Sequence, residues 1–159
     1  MKRYFSFLIL FTWCLSFTGS LFAQDSMGFT RQQIHDMVLL HEREPLSEAS
    51  DTNRGLLMAH FKPVDYIICG YIVGPLTDSD LPAHQAIMWQ IIFASGDWVE
   101  ENPERADMID AYTLVGLESG LRSYQVILKS NPDARHPALD ELSAIGANKF
   151  NQENPCRTL

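Results

Sequence analysis

The chain predicts an all-α, single-domain helical bundle of about five helices, with a helical hairpin in its C-terminal half. Three observations carry that reading. Leu114, Leu117, Leu121, Tyr124 and Leu128 recur at alternating steps of three and four, which places them on one helix face. Residues 82–101 are apolar around most of a helical circumference, as in a helix buried on all sides. The one run rich in branched and aromatic residues, VDYIICGYIVGPL at 64–76, has no second strand-like segment to pair with. It reads as a buried short helix or an irregular segment.

The first residues are not expected to join the fold. Lys2 and Arg3 precede an uncharged, largely apolar run over 4–22, and Ala23 stands before polar Gln24. This is the pattern of a secretory signal peptide over 1–23. The alternative is a retained membrane anchor, since the run approaches the length of a span. Cleavage is favoured because the polar chain starts directly after a small residue, and it leaves no stable membrane insertion. Cys14 lacks a lipoprotein-type small-residue box, so no lipid anchor is expected. Residues 24–159 are enough for one core and too few for two domains.

Removing Lys2 and Arg3 from the 12 basic residues leaves 10 against 20 acidic ones. That balance excludes nucleic acid and anionic lipid surfaces as partners, since both select lysine and arginine clusters. A basic protein partner is compatible with it. Cys69 and Cys156 remain after cleavage, in a compartment that permits a disulfide. A bridge would close a long loop. The other option is a buried apolar Cys69 with a free thiol at Cys156.

Taken in order, Thr30 and Gln33 form a capping box, with Phe29 and Ile34 as a hydrophobic staple. This helix should run to about Glu44, where Pro45 stops it. Ile34, Met37, Val38 and His41 share its inner face. Residues 45–51 read as a polar link. A second helix is expected over 52–61, capped by Ser50 or Asp51, with Leu56, Leu57 and Phe61 inward. After the turn cluster TDSD at 77–80, a central helix has Pro82 in its first turn and ends near Glu101. Asn102-Pro103 separates it from the helix of the leucine seam, in which Glu118 precedes Arg122 by the four residues of a helical ion pair. Gly116 and Gly120 weaken that helix, which implies close approach of another backbone. Asn131-Pro132-Asp133 breaks it, and Pro137 opens the last helix, with Asp140 and Glu141 near its positive end. The tail 151–159 is polar, and loose unless Cys156 ties it down.

No catalytic, cofactor-binding or metal residues are assigned. The histidines are His35, His41, His60, His84 and His136, and no two have the four-residue spacing of a helical zinc motif. His35 and His41 fall on different faces of one helix. Ser95-Gly96-Asp97 reads as a polar break that lets an apolar helix bend, not as a nucleophile site. Glu100-Glu101 and Asp140-Glu141 fit helix ends, although acids at a helix C-terminus are mildly unfavourable. Trp89 and Trp98 read as core.

One stretch carries a resemblance. Asn102-Pro103, then Gly116, Glu118, Leu121, Arg122 and Tyr124, then Pro137 with Leu139, Asp140, Glu141 and Leu142 form an ENP start, a GxExxLRxY helix and a P-x-LDEL helix. In this respect residues 101–142 resemble the C-terminal half of short exported bacterial helical proteins of uncharacterised role. The resemblance implies export and a helical fold, and it implies no activity. Gly120, Tyr124 and Pro132 also fall at the spacing of a tetratricopeptide-type repeat. Ile127 stands where that repeat has a small residue and no second copy exists, so the likeness extends only to a helical hairpin.

The sequence therefore leads to an exported, soluble, non-enzymatic protein that binds or scaffolds another protein through an acidic helical surface, in the periplasm or outside the cell. The competing expectation is a small ligand-binding or metal-binding protein, or an enzyme. Its site would lie among His84, Trp89 and the helix-one histidines, His35 and His41. A third is a purely structural or stress-related envelope protein.

Overall fold

The computed structural model describes residues 28–156, so the expected signal peptide over 1–23 lies outside it. The described residues form seven α-helices and no strand. They are α1 Arg31–Arg43, α2 Glu48–Phe61, α3 Gly70–Thr77, α4 Pro82–Glu101, α5 Ile109–Ser130, α6 Pro137–Ile145 and α7 Ala147–Glu153. Short 3-10 turns at Pro103–Arg105 and Pro132–Ala134 precede α5 and α6. The expectation of about five helices is corrected upward. The ambiguous run is irregular to Cys69 and then helical as α3, and Gly146, at φ +83°, splits the C-terminal end into α6 and α7. A left-handed backbone at that point is where a glycine costs least.

Local signals set most boundaries. Thr30 accepts from the Gln33 backbone, and the Gln33 side chain accepts from the Thr30 backbone at 2.8 Å, which completes the capping box. α2 begins four residues before the expected start, because Ser47 caps it by accepting from the Ser50 amide at 3.1 Å. Ser50 itself is buried inside the helix. Residues 151–153, expected as polar tail, belong to α7, where buried Asn151 donates to the Asp110 carbonyl at 2.9 Å. Cys156 is bridged to Cys69, with the Cα atoms 5.7 Å apart. The C-terminal end is thereby fixed to the start of α3.

α4 is the central element, in contact with α1, α2, α3 and α5. Two apolar clusters lie along it. One joins α4 to α3, α5, α6 and α7 through Leu76, Ile87, Ile91, Leu117, Tyr124, Ile127, Leu139, Leu142 and Ala147. The other joins α4 to α1 and α2 through Ile34, Val38, Leu57, Phe61 and Phe93. Trp89 and Ile92 pack against both. Each fully buried aliphatic side chain contributes about 1.5–3 kcal/mol.

The leucine seam is not the most buried face of α5. Leu117 and Tyr124 are enclosed, but Leu114, Leu121 and Leu128 are half-buried. The small residues Gly116, Ser119, Gly120 and Ser123 are buried. A Cβ on Gly116 would meet the Ile91 carbonyl oxygen at 2.7 Å, and one on Gly120 would meet Ile91 Cγ1 at 2.5 Å. The two long helices therefore approach closely through the glycine side, as the spacing implied. Arg122 does not use Glu118. It reaches across to α1 and holds Glu42 with both arms of its guanidinium, at 2.9 and 2.8 Å. A planar guanidinium matched to a carboxylate outweighs a single helical pair.

Candidate functional site

Ser95, Gly96 and Asp97 show how α4 organises the surface around it. The helix runs through them without interruption. Ser95 turns to α5 and donates to the Ile91 and Tyr112 carbonyls at 2.9 and 3.1 Å. Gly96 makes room for α2 and the segment after it, since a Cβ there would meet Phe61 Cδ1 at 2.8 Å and the Tyr66 hydroxyl at 3.0 Å. Asp97 turns to α1. Three consecutive residues thus serve three neighbours, and the expected polar break is a junction.

On the Gly96 side lies an apolar groove of about 280 Å³, lined by Met58, Phe61, Tyr66, Trp89, Ile92 and Phe93, with Lys62 beside them. Trp89 stacks on Phe93 with ring centroids 5.7 Å apart, and Phe61 stacks on Phe93 at 6.1 Å. The Tyr66 hydroxyl donates to the Ile92 carbonyl at 3.2 Å, and burial pushes its pKa up, with the Glu100 charge adding to the shift. Trp89, expected as core, lines the wall of this groove and is only partly buried. Trp98 is half-buried and carries Arg105 over its ring at 5.2 Å.

On the Asp97 side, α1 and the C-terminal end of α4 meet through charges. Asp97 is buried, with a side chain only 9% exposed. Its Oδ2 lies 2.8 Å from His35 Nδ1. NH1 of Arg31 lies 2.6 Å from Asp97 Oδ1, but off the hydrogen-bonding direction, so that contact is an ion pair and not an aligned bond. NH2 of Arg31 donates to the Asp97 carbonyl at 2.6 Å. The same guanidinium lies 3.5 Å from both Glu100 and Glu101, and Glu101 Oε1 is 3.4 Å from His35 Nδ1. His60, from α2, reaches Glu100 at 2.9 Å. His35, Asp97 and Glu101 line a cleft of about 180 Å³ that continues to Glu42, Ser119 and Arg122.

Beneath this cleft runs a buried polar chain. His41 Nδ1 lies 2.9 Å from Gln90 Oε1, and Gln90 donates to Val38 O and to Ser119 Oγ at 3.3 and 2.7 Å. Ser119 donates to Glu42 through a short hydrogen bond. Desolvation raises the Glu42 carboxyl, but the bonds from Arg122 and Ser119 and the Arg122 charge together hold it below its ordinary value. His41 is fully enclosed, and desolvation lowers its pKa to about 4 against the opposing bond from Gln90.

His84 and His136 face each other at the other end of α4, with rings 4.8 Å apart. His84 is held by Ser79 Oγ at 2.6 Å and Ala134 O at 3.1 Å. The His136 backbone donates to the Tyr124 hydroxyl, which donates to Asp140 at 2.8 Å, and Arg135 also binds Asp140. Desolvation and the neighbouring His84 lower the His136 pKa. This arrangement fastens the turn before α6.

The grouping of His84 with Trp89 and the helix-one histidines is not what the structure assembles. His41 is in the core on Gln90, His35 is on Asp97, and His84 is on Ser79 and Ala134. The set that does converge, His35 with Asp97 and Glu101, was outside sequence reasoning because α1 and α4 are far apart in the chain. Its one sequence signal was the acidic end of α4, where carboxylates are disfavoured without a compensating charge.

Comparison with family models, curated proteins and solved structures returns no match. The function therefore has to be argued from these sites alone.

Proposed function

We propose that the chain is an exported, disulfide-closed helical protein that binds another protein and carries no chemistry of its own. The Cys69–Cys156 bridge supports export, because such bonds persist in oxidising compartments. The basic-then-apolar lead over 1–23 and the resemblance of residues 101–142 to short exported proteins support it too. Among the described residues, no helix is long and apolar enough to cross a membrane.

The observation that carries the binding role is the aromatic groove between α2 and α4. Aromatic and methionine side chains are the groups enriched at protein interfaces, and a partly buried tryptophan in a pocket is a typical anchor point. Met58, at 42% exposure, presents part of that lining to solvent. Thioether side chains adapt to varied partners. The partner segment suited to this groove offers an apolar side chain to its aromatic wall.

Photocrosslinking from inside the native envelope tests the reading. A crosslinker at Met58 or Lys62 should yield one discrete adduct, and a crosslinker at exposed Glu118 on α5 should not. Met58→Asp should abolish the adduct formed from Lys62 while leaving the helical content unchanged. Equal labelling from all three positions would refute the assignment.

A further inference from the structure

The junction of α1 with the C-terminal end of α4 gathers three carboxylates around one arginine. Asp97, Glu100 and Glu101 supply three carboxylates within the last turns of a helix, where the backbone dipole is already negative. Arg31 supplies one positive charge and contacts all three. His35 and His60 also touch these carboxylates. Asp97, the buried one, is held by Arg31 and His35, while Glu100 and Glu101 stand farther from the guanidinium, at 3.5 Å.

We propose that His35, Asp97 and Glu101 bind a divalent transition-metal ion, zinc being the best-suited member of the class. Their ligand atoms all lie within 4.8 Å of one another. Zinc holds nitrogen and oxygen ligands at roughly 2.0–2.2 Å, so neighbouring ligand atoms around one ion stand roughly 3–3.6 Å apart. His35 Nδ1 is 2.8 Å from Asp97 and 3.4 Å from Glu101. Small side-chain adjustments therefore convert the direct contacts into ligation. The donor set, one imidazole and two carboxylates, suits zinc or manganese more than calcium, which prefers oxygen alone. Asp97 Oδ1 is buried and receives no aligned hydrogen bond, with Arg31 NH1 against it as an ion pair at 2.6 Å. The site opens into the cleft lined by Val38, Glu42 and Trp98, which leaves room for water as a further ligand. Asp97 and Glu101 are four residues apart, one turn of α4, so the helix itself aims both carboxylates at α1. A divalent ion would add positive charge beside three carboxylates that share Arg31 as their only arginine partner among the described residues. Glu100 would stay outside the ligand set, held by His60 at 2.9 Å, and Arg31 would orient the carboxylates from behind. This site is separate from the aromatic groove and stands whether or not the groove binds a protein.

The test uses the full mature chain stripped with a chelator, then titrated with zinc chloride by calorimetry and with cobalt(II) by absorption. One equivalent should bind, and the cobalt form should show visible bands of a nitrogen–oxygen site. His35→Gln and Glu101→Gln should each weaken binding at least tenfold, and the pair should abolish it. Both positions are partly exposed, so these variants are expected to keep the fold, and circular dichroism checks this. His84→Gln should leave binding unchanged. The proposal is overturned if the folded wild-type chain takes up no metal. It is equally overturned if uptake survives loss of both His35 and Glu101, or is lost with His84 instead.

Discussion

At the scale of single residues, the core of this protein is defined by polar groups as much as by apolar ones. Gln90, at 0% exposure, is the hub of the chain from His41 to Glu42. Removing one partner from such a network leaves the others unsatisfied, which costs about 1–3 kcal/mol for each group. His41 makes the network sensitive to acid. Desolvation holds its pKa near 4 in the folded chain, below the ordinary 6.5 of the unfolded one, and Arg54 adds to the shift while Gln90 opposes it. Between those values the unfolded chain takes up a proton that the folded chain refuses. This contribution is therefore fully present above pH 6.5 and is lost as the pH falls toward 4, up to about 3 kcal/mol. Urea unfolding at pH 7, 5.5 and 4.5 should show wild-type stability falling more steeply than that of His41→Asn. Parallel curves would mean that His41 is not the group responsible. The helical register already set His41 on the inner face with Ile34 and Val38 and His35 on another. What only the packing supplies is the partner that His41 meets there, Gln90 on α4.

At the scale of elements, the α4–α5 pair depends on missing side chains. Gly116 faces a backbone carbonyl, which cannot swing aside, whereas Gly120 faces only side-chain atoms of Ile91 and Ile87. Gly116→Ala should therefore destabilise more than Gly120→Ala, with overpacking of about 1–3 kcal/mol offset in part by better helix propensity. Gly55, in the exposed middle of α2, has open space where a Cβ would go, with no neighbouring atom within 4 Å. Gly55→Ala should stabilise the chain by about 0.5–1 kcal/mol. Thermal unfolding of the three variants checks both order and sign. The sequence spacing of Gly116 and Gly120 pointed to close approach, and the alternation of Leu114, Leu117 and Leu121 pointed to a helix. Which of those two faces would be covered more deeply was not legible. Both patterns fit one helix, and the choice belongs to α4.

At the scale of the whole molecule, the Cys69–Cys156 bridge ties the last described residues to the middle of the chain across 87 positions. Loop-closure arguments give about 4–5 kcal/mol for a bridge of that span. Reduction with dithiothreitol, or the Cys69→Ala/Cys156→Ala pair, should lower the midpoint of thermal unfolding by several degrees and release α7 to proteolysis first. An unchanged midpoint would place the stability elsewhere, in the apolar clusters that meet at Trp89 and Ile92. By itself, the sequence determined the helical class, the capped start of α1, the limits of α4 and the proline breaks, because those depend on neighbours within about one helical turn. The tertiary structure alone decided that Arg122 would choose Glu42 over Glu118. It alone brought His35 to Asp97 and Glu101, and Trp89 to the wall of a groove. Those pairings span dozens of residues, and their geometry exists only once the helices have packed against α4.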